Sequence, residues 1–176
     1  MIFTETPFKG AFLIDLEPRL DKRGFFARSY CRREFEAKGL NLAVVQSNLS
    51  FNLKAGTLRG MHFRKDAPGE AKLVRCMVGA IFDVIIDLRP QSPTYRQYFA
   101  TELTADNHRA LFIPAYFAQG FQALTDNTLV EYQMGEYYAA DLAAGFRYDD
   151  PAFAIRWPRP AGTISEQDLA WPRFIP

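Results

Sequence analysis

The chain has 176 residues, 48% of them hydrophobic, and a formal net charge of +1. This suits one domain, residues 1–176, with a proper core, and is too apolar for a disordered chain. No global field draws such a chain to nucleic acid or a membrane, so an anionic ligand must be held by a local basic cluster.

Strand signals dominate. Residues 11–16, 44–50, 71–78, 81–88, 98–103, 110–113 and 128–134 are short, apolar-rich and often β-branched, with Gly, Pro, Asn or Asp between most of them. Gly79 parts two of these runs so closely that it predicts a hairpin. Helical signals are few. Residues 32–38 make two turns closed by Gly39, and Ser165 caps a short helix that begins at 165–168. Many short strands with turns between them predict an all-β sandwich or barrel with short peripheral helices. The aromatic content, 15%, suits a β-rich core as well as rings that stack on sugars or bases, and composition favours the core.

Cys31 and Cys76 read as two reduced thiols, not a secreted disulfide scaffold. The apolar stretch 11–14 is cut by Asp15 and lacks a basic leader. No run approaches the roughly 18 apolar residues of a membrane span. These features predict a soluble, cytoplasmic protein.

The chain has two histidines, His62 and His108, and no His-X-His pair. A metal-binding sandwich needs more, so no metal is expected. His62 stands in an apolar strand context, where a lone histidine is often just a satisfied core residue. Arg59 lies three residues before it and Lys72 ten after. Cations in apolar strands suggest an anion or a polarised oxygen inside, unless they point outward to water. Strict alternation sets Arg59 and His62 on opposite faces, and they share one cavity only if Gly60 permits a bulge. Residues 21–28 form a basic turn leading into a strand. Arg23 and Arg28 there meet phosphate oxygens or merely solvent. Tyr132 is a phenol able to act as a general acid or simply to pack. Asp168 orients His62 or favours the helix N-terminus that Ser165 opens, and the sequence by itself favours the second.

These residues come in the order and context of one family. Asp21-x-Arg23-Gly24-Phe25-Phe26 is followed by Gln46-Ser47-Asn48-x-Ser50 and Leu58-Arg59-Gly60-Met61-His62-Phe63. Then come Lys72-Leu73-Val74-Arg75, Asp87-Leu88-Arg89-x-x-Ser92-Pro93-Thr94, Ile113-Pro114-x-x-Phe117-Ala118-x-Gly120-Phe121, Tyr132, Tyr137-Tyr138 and Ser165-x-x-Asp168. From about Gly10 to Pro172 the chain resembles the dTDP-4-dehydrorhamnose 3,5-epimerases. The resemblance implies a cupin-like jelly roll, a homodimer with strand exchange, no metal and no cofactor. It implies a nucleoside-diphosphate 4-keto-6-deoxy sugar as substrate, inverted at C3, C5 or both through an enolate. By the same likeness His62 is the base, Asp168 its partner, Lys72 the ligand of the C4 carbonyl oxygen and Tyr132 the acid on the opposite face. Arg23, Arg59, Gln46 and Asn48 handle phosphates and nucleoside, and Phe26 and Tyr138 line the site.

Two departures stand out. Gln119 replaces the family's second active-site histidine, with its aspartate kept as Asp83, and Tyr116 replaces a glycine beside it. Gln119 still hydrogen-bonds a hydroxyl but shuttles no proton, which suggests inversion at one carbon only. Arg28 stands where the family commonly has Glu near the nucleobase, which suggests an altered nucleotide or sugar. A related keto-sugar isomerase or dehydratase, or a sugar-nucleotide binding protein without turnover, stays open at this point.

Overall fold

The computed structural model describes residues 1–65 and 69–175. In chain order its elements are β1 (Ile2–Glu5), β2 (Phe12–Asp15), β3 (Arg19–Asp21), β4 (Gly24–Phe26), α1 (Arg32–Glu36), β5 (Gln46–Asn52), β6 (Leu58–Arg64), β7 (Lys72–Val78) and β8 (Ala80–Asp87). Then follow β9 (Tyr98–Thr104), β10 (Ala110–Ile113), β11 (Phe117–Ala123), β12 (Thr128–Met134), β13 (Ala143–Gly145) and α2 (Glu166–Ala170). One sheet has the order β1-β2-β10-β7-β12-β5, and the other β13-β6-β11-β8-β9. All pairings are antiparallel. The two sheets face each other as a cupin-like jelly roll, and β3 and β4 form a separate two-stranded ribbon.

Period-two alternation builds the layers. Val74, Cys76, Leu111, Ile113 and Val130 of the first sheet meet Ile81, Ile85, Leu103, Phe117 and Phe121 of the second. Ile14, Leu73, Ala110 and Phe112 point the other way, onto Phe35 of α1 and the segment after it. Met61, Val84, Ile86 and Ala118 face a third cluster closed by Phe153 and Phe174. Each such large side chain contributes roughly 1.5–3 kcal/mol on burial. Both cysteines are free, and burial pushes the Cys76 thiol up to about 11.

The hairpin expected at Gly79 does not form. β7 pairs with β10 and β12, whereas β8 pairs with β9 and β11. The chain crosses between sheets at Gly79, whose φ is +78° and whose Cβ, if present, would lie 2.3 Å from Thr125 Oγ1. Both flanking strands carry an apolar inner face. Side by side in one sheet those faces would lack a cover; set opposite each other, they cover one another. β11 is a strand that propensity hides, since Ala, Gln and Gly are poor strand formers. Every residue of it is buried between β6 and β8. The Asp87 carboxylate closes the loop after β8, taking Arg89 Nε at 2.8 Å and Thr94 Oγ1 at 2.6 Å. Among the described residues no helix is long and apolar enough to cross a membrane.

Candidate active site

β6 pairs with β11 as Gln119↔His62 and Phe121↔Arg59, so the register slips by one residue between them. Gly60 and Met61 together oppose Gly120, a β-bulge. Two glycines permit it. Gly60 has φ +129°, a Cβ on it would lie 2.5 Å from Gly120 Cα, and a Cβ on Gly120 would lie 2.6 Å from Met61 Sδ. The extra residue turns Met61 outward to the third cluster and lets Arg59 and His62 line one cavity between the sheets. The condition that the sequence set for these two side chains is met.

That inner cavity, of about 210 Å³, is walled by Arg59, His62 and Gln119 from one sheet and by Asn48, Lys72 and Tyr132 from the other. A second cavity of about 250 Å³ shares Asn48, His62 and Lys72 with it and adds Gln46, Tyr138 and Trp171. A larger cavity of about 640 Å³ lies by Pro90, Ser92 and Tyr116. None of the residues expected to act on substrate lines it. Tyr116 holds its backbone at φ +68°, a conformation that suits the glycine it replaces.

His62 Nε2 lies 2.6 Å from Asp168 Oδ1. The Gly60 amide donates to Asp168 Oδ2 at 3.3 Å, and the Trp171 indole donates to Oδ1 at 3.1 Å. Burial works against a charge on Asp168, but His62, Gly60 and Trp171 outweigh it and hold the carboxyl below its usual range. An ionised carboxylate only accepts, so His62 donates to it through Nε2–H. The Asp168 amide also donates to Ser165 Oγ at 3.0 Å. The two readings of Asp168 are compatible: it is an acidic residue in the first turn of the helix that Ser165 caps, and its side chain lies against His62.

Lys72 is 9% exposed, and its Nζ lies 3.1 Å from Glu70 Oε1. Tyr132 packs against the core between the sheets. Burial pushes its phenol above the ordinary range, the charge of Asp83 adds to this, and Ser50 and Arg59 pull the other way. The phenol thus keeps its proton across the whole neutral range. Gln119 Nε2 donates to Asp83 Oδ1 at 2.6 Å, and among the described residues Asp83 Oδ2 has no partner. Burial pushes the Asp83 carboxyl up to about 7, against the pull of Gln119 and Lys72.

The remaining expected residues divide. Gln46 Nε2 donates to Asn48 Oδ1 at 3.1 Å and Gln46 Oε1 accepts from the Tyr138 amide at 3.1 Å, which braces the outer cavity. Arg59 Nε donates to Asn52 Oδ1 at 2.8 Å. Arg23, Phe26 and Arg28 line neither cavity of this chain. The first two ride on the ribbon, where Phe26 is 71% exposed and Arg23 pairs with Asp21 at 2.6 Å. Arg28 pairs with Glu34 at 2.7 Å, so its guanidinium is already engaged, away from both cavities. The sequence reading missed Glu70 and Trp171. Trp171 stands three residues after Asp168, one helical turn on, and that spacing was the available signal. Among the described residues no group of three or more His, Cys, Asp or Glu side chains forms a metal-ligand set.

Removing and returning a proton on carbon is what such an interior can do, with an imidazole held by a carboxylate on one wall and an ammonium and a phenol on the other. The fold and the cavity together set the chain among the cupin-like epimerases. The comparison with known proteins narrows this. A family model described as dTDP-4-dehydrorhamnose 3,5-epimerase matches residues 5–175, and the chain belongs to that family. The dTDP-4-dehydrorhamnose 3,5-epimerase of Methanothermobacter thermautotrophicus is 40% identical over 172 residues, which cover 96% of this chain and 92% of the relative. The dTDP-4-dehydrorhamnose 3-epimerase of Streptomyces niveus is 37% identical over 161 residues, 91% of this chain and 77% of the relative. The crystal structure of dTDP-4-dehydrorhamnose 3,5-epimerase from Bacillus anthracis, with TDP and PPi bound, is similar at a TM-score of 0.95 and 42% identity, over 98% of this chain and 99% of that one.

Proposed function

We propose that this chain epimerises a dTDP-linked 4-keto-6-deoxy sugar at a carbon beside the ketone, C3, C5 or both. The observation that carries the reading is the opposition of His62 on β6 to Lys72 and Tyr132 on β7 and β12, across one cavity. A C–H beside a ketone becomes acidic when the enolate oxygen is stabilised, and the Lys72 ammonium serves that oxygen. His62 takes the proton, and Asp168 steadies the imidazolium that forms. Tyr132, protonated and on the other wall, returns a proton to the opposite face, which inverts the carbon. No electron changes hands, so the chemistry calls for no redox cofactor. In D2O with dTDP-4-keto-6-deoxyglucose, the protein incorporates deuterium at C3, C5 or both, as read by NMR, and His62→Ala loses at least ~100-fold in rate. Absence of exchange in the unaltered protein, with the nucleotide still bound, would leave a binding protein without turnover.

One observation favours inversion at a single carbon. The Asp83–Gln119 pair carries an amide where the family has an imidazole, so this pair has no ring nitrogen through which to shuttle a proton, and His62 alone supplies one on this wall. A relative named as a 3-epimerase shows that the family includes proteins so named.

The same reading makes the working unit a homodimer. Three features support it. Strand β5 ends its sheet, its outer face exposes Leu49 and Phe51 with Leu53 just beyond, and the ribbon holds Arg23 and Phe26 away from its own chain's cavity. An unpaired apolar edge invites a second copy, and the ribbon then reaches the partner's cavity with its guanidinium and ring. Sedimentation equilibrium is expected to return twice the chain mass, and a monomer with full turnover would sink this part of the reading.

A further inference from the structure

The proposed reaction needs the His62 ring in one tautomer and one orientation, and Asp168 by itself does not guarantee either. A carboxylate on a short terminal helix rotates about its own χ angles unless other groups hold it. Here the Trp171 indole N–H donates to Asp168 Oδ1, the same oxygen that faces His62 Nε2. The indole also meets the imidazole edge-on, with centroids 6.3 Å apart at 67°, and walls the outer cavity. It reaches that position through a gap in the neighbouring strand. Gly145 of β13 lies directly opposite His62 in register, and a Cβ on it would sit 2.6 Å from indole Cε2 and Nε1. Arg147, two residues on, donates to the Leu169 carbonyl near the end of α2 and ties the helix down.

We infer that Trp171 is a positioning residue, whose indole N–H, admitted by Gly145, fixes the Asp168 carboxylate and through it the orientation and tautomer of His62. A second donor on the shared oxygen lowers its basicity, so the carboxylate accepts from His62 Nε2 without drawing the proton away. The ring stands edge-on to the imidazole beside that hydrogen bond and limits the rotation of both side chains. Substrate need not touch Trp171 for any of this. The inference rests on the reaction proposed above, but its structural half is read without substrate.

Trp171→Phe keeps a ring and removes the N–H, and Gly145→Ala keeps the N–H and expels the ring. With two histidines and two tryptophans in the chain, the side-chain N–H signals are readily assigned. In the ligand-free protein the His62 Nε2–H is expected far downfield, and in both variants it moves upfield and exchanges faster with water. With substrate, kcat falls about ten-fold in each variant while KM stays within two-fold, the loss expected for one charge-assisted hydrogen bond. The double variant loses no more than either single one. An unchanged His62 signal with unchanged kcat in Trp171→Phe overturns the inference. So does a loss of kcat that only follows the loss of folded protein, with the His62 signal intact; Gly145→Ala decides the matter if Trp171→Phe does not fold. Should the unaltered protein fail to exchange deuterium into substrate, the reaction is wrong, and the His62 signal still tests the positioning.

Discussion

Two buried aspartates, Asp168 and Asp83, each hold the side chain that faces the cavity, and they hold it in opposite electrical states. Asp168 takes a histidine, a backbone amide and an indole, and stays below the usual carboxylate range. Asp83 takes one amide of Gln119, has no partner for its other oxygen among the described residues, and is pushed up to about 7 by burial. Depth and donor supply separate them together: burial lifts Asp83, with one donor to oppose it, whereas three donors outweigh burial at Asp168. The first aspartate can stabilise a cation on its partner. The second has a partner that never becomes one.

The largest effect should come from discharging the first pair. Asp168→Asn leaves His62 facing a neutral amide, and deuterium exchange into substrate should slow by roughly 10²–10⁴-fold, as single-turnover NMR would measure. A rate close to that of the unaltered protein would erase the contrast between the two pairs. A middling effect should come from arming the second pair. Gln119→His gives Asp83 a titratable partner, and label should then enter at a second carbon that the parent protein leaves largely unlabelled. If the parent already labels both carbons fully, the asymmetry has no consequence for the outcome. The smallest effect is on stability. A carboxyl with a folded pKa of about 7, against an unfolded value near 3.8, binds its proton more tightly in the fold. Its contribution is therefore intact below about pH 4 and is lost as pH rises through about 7, by a few kcal/mol at roughly 1.4 kcal/mol per unit. Thermal unfolding from pH 4 to 8 should show Asp83→Asn flatter than the parent. Parallel curves would mean that Asp83 is not held neutral by its burial.

Most strands were legible as short, apolar-rich and often β-branched runs set between turn residues, as in 71–78, 110–113 and 128–134. β11 was not, because its strand character comes from neighbours on both sides and not from Ala, Gln and Gly. The turn at Gly79 was legible as a turn but not as a crossing, since one positive-φ glycine serves either, and only the mutual cover of two apolar faces decides between them. His62, Lys72, Tyr132, Gln119 and Asn48 were legible through the family resemblance, and they do share one cavity. Asp168 was legible as a cap and, from its residues alone, only weakly as a partner, because a contact spanning 106 residues leaves no local trace. Arg23, Phe26 and Arg28 line neither cavity of this chain, and motif order does not say where in the fold a segment comes to lie. Trp171 escaped because an indole near a terminus ordinarily signals packing.

The bulge at Gly60 makes the chemistry of this interior a matter of counting. Removing one residue from β6 on the Arg59 side of His62 would shorten the strand by a single residue and leave nearly its composition, yet it would swap the parity of everything before the cut relative to everything after. Either the imidazole or the guanidinium would then leave the cavity for the outer face. A lineage carrying such a deletion would inherit an intact jelly roll with a silent interior. No single substitution could repair it, and only a restored residue would, so along this strand the count is held more strictly than the letters.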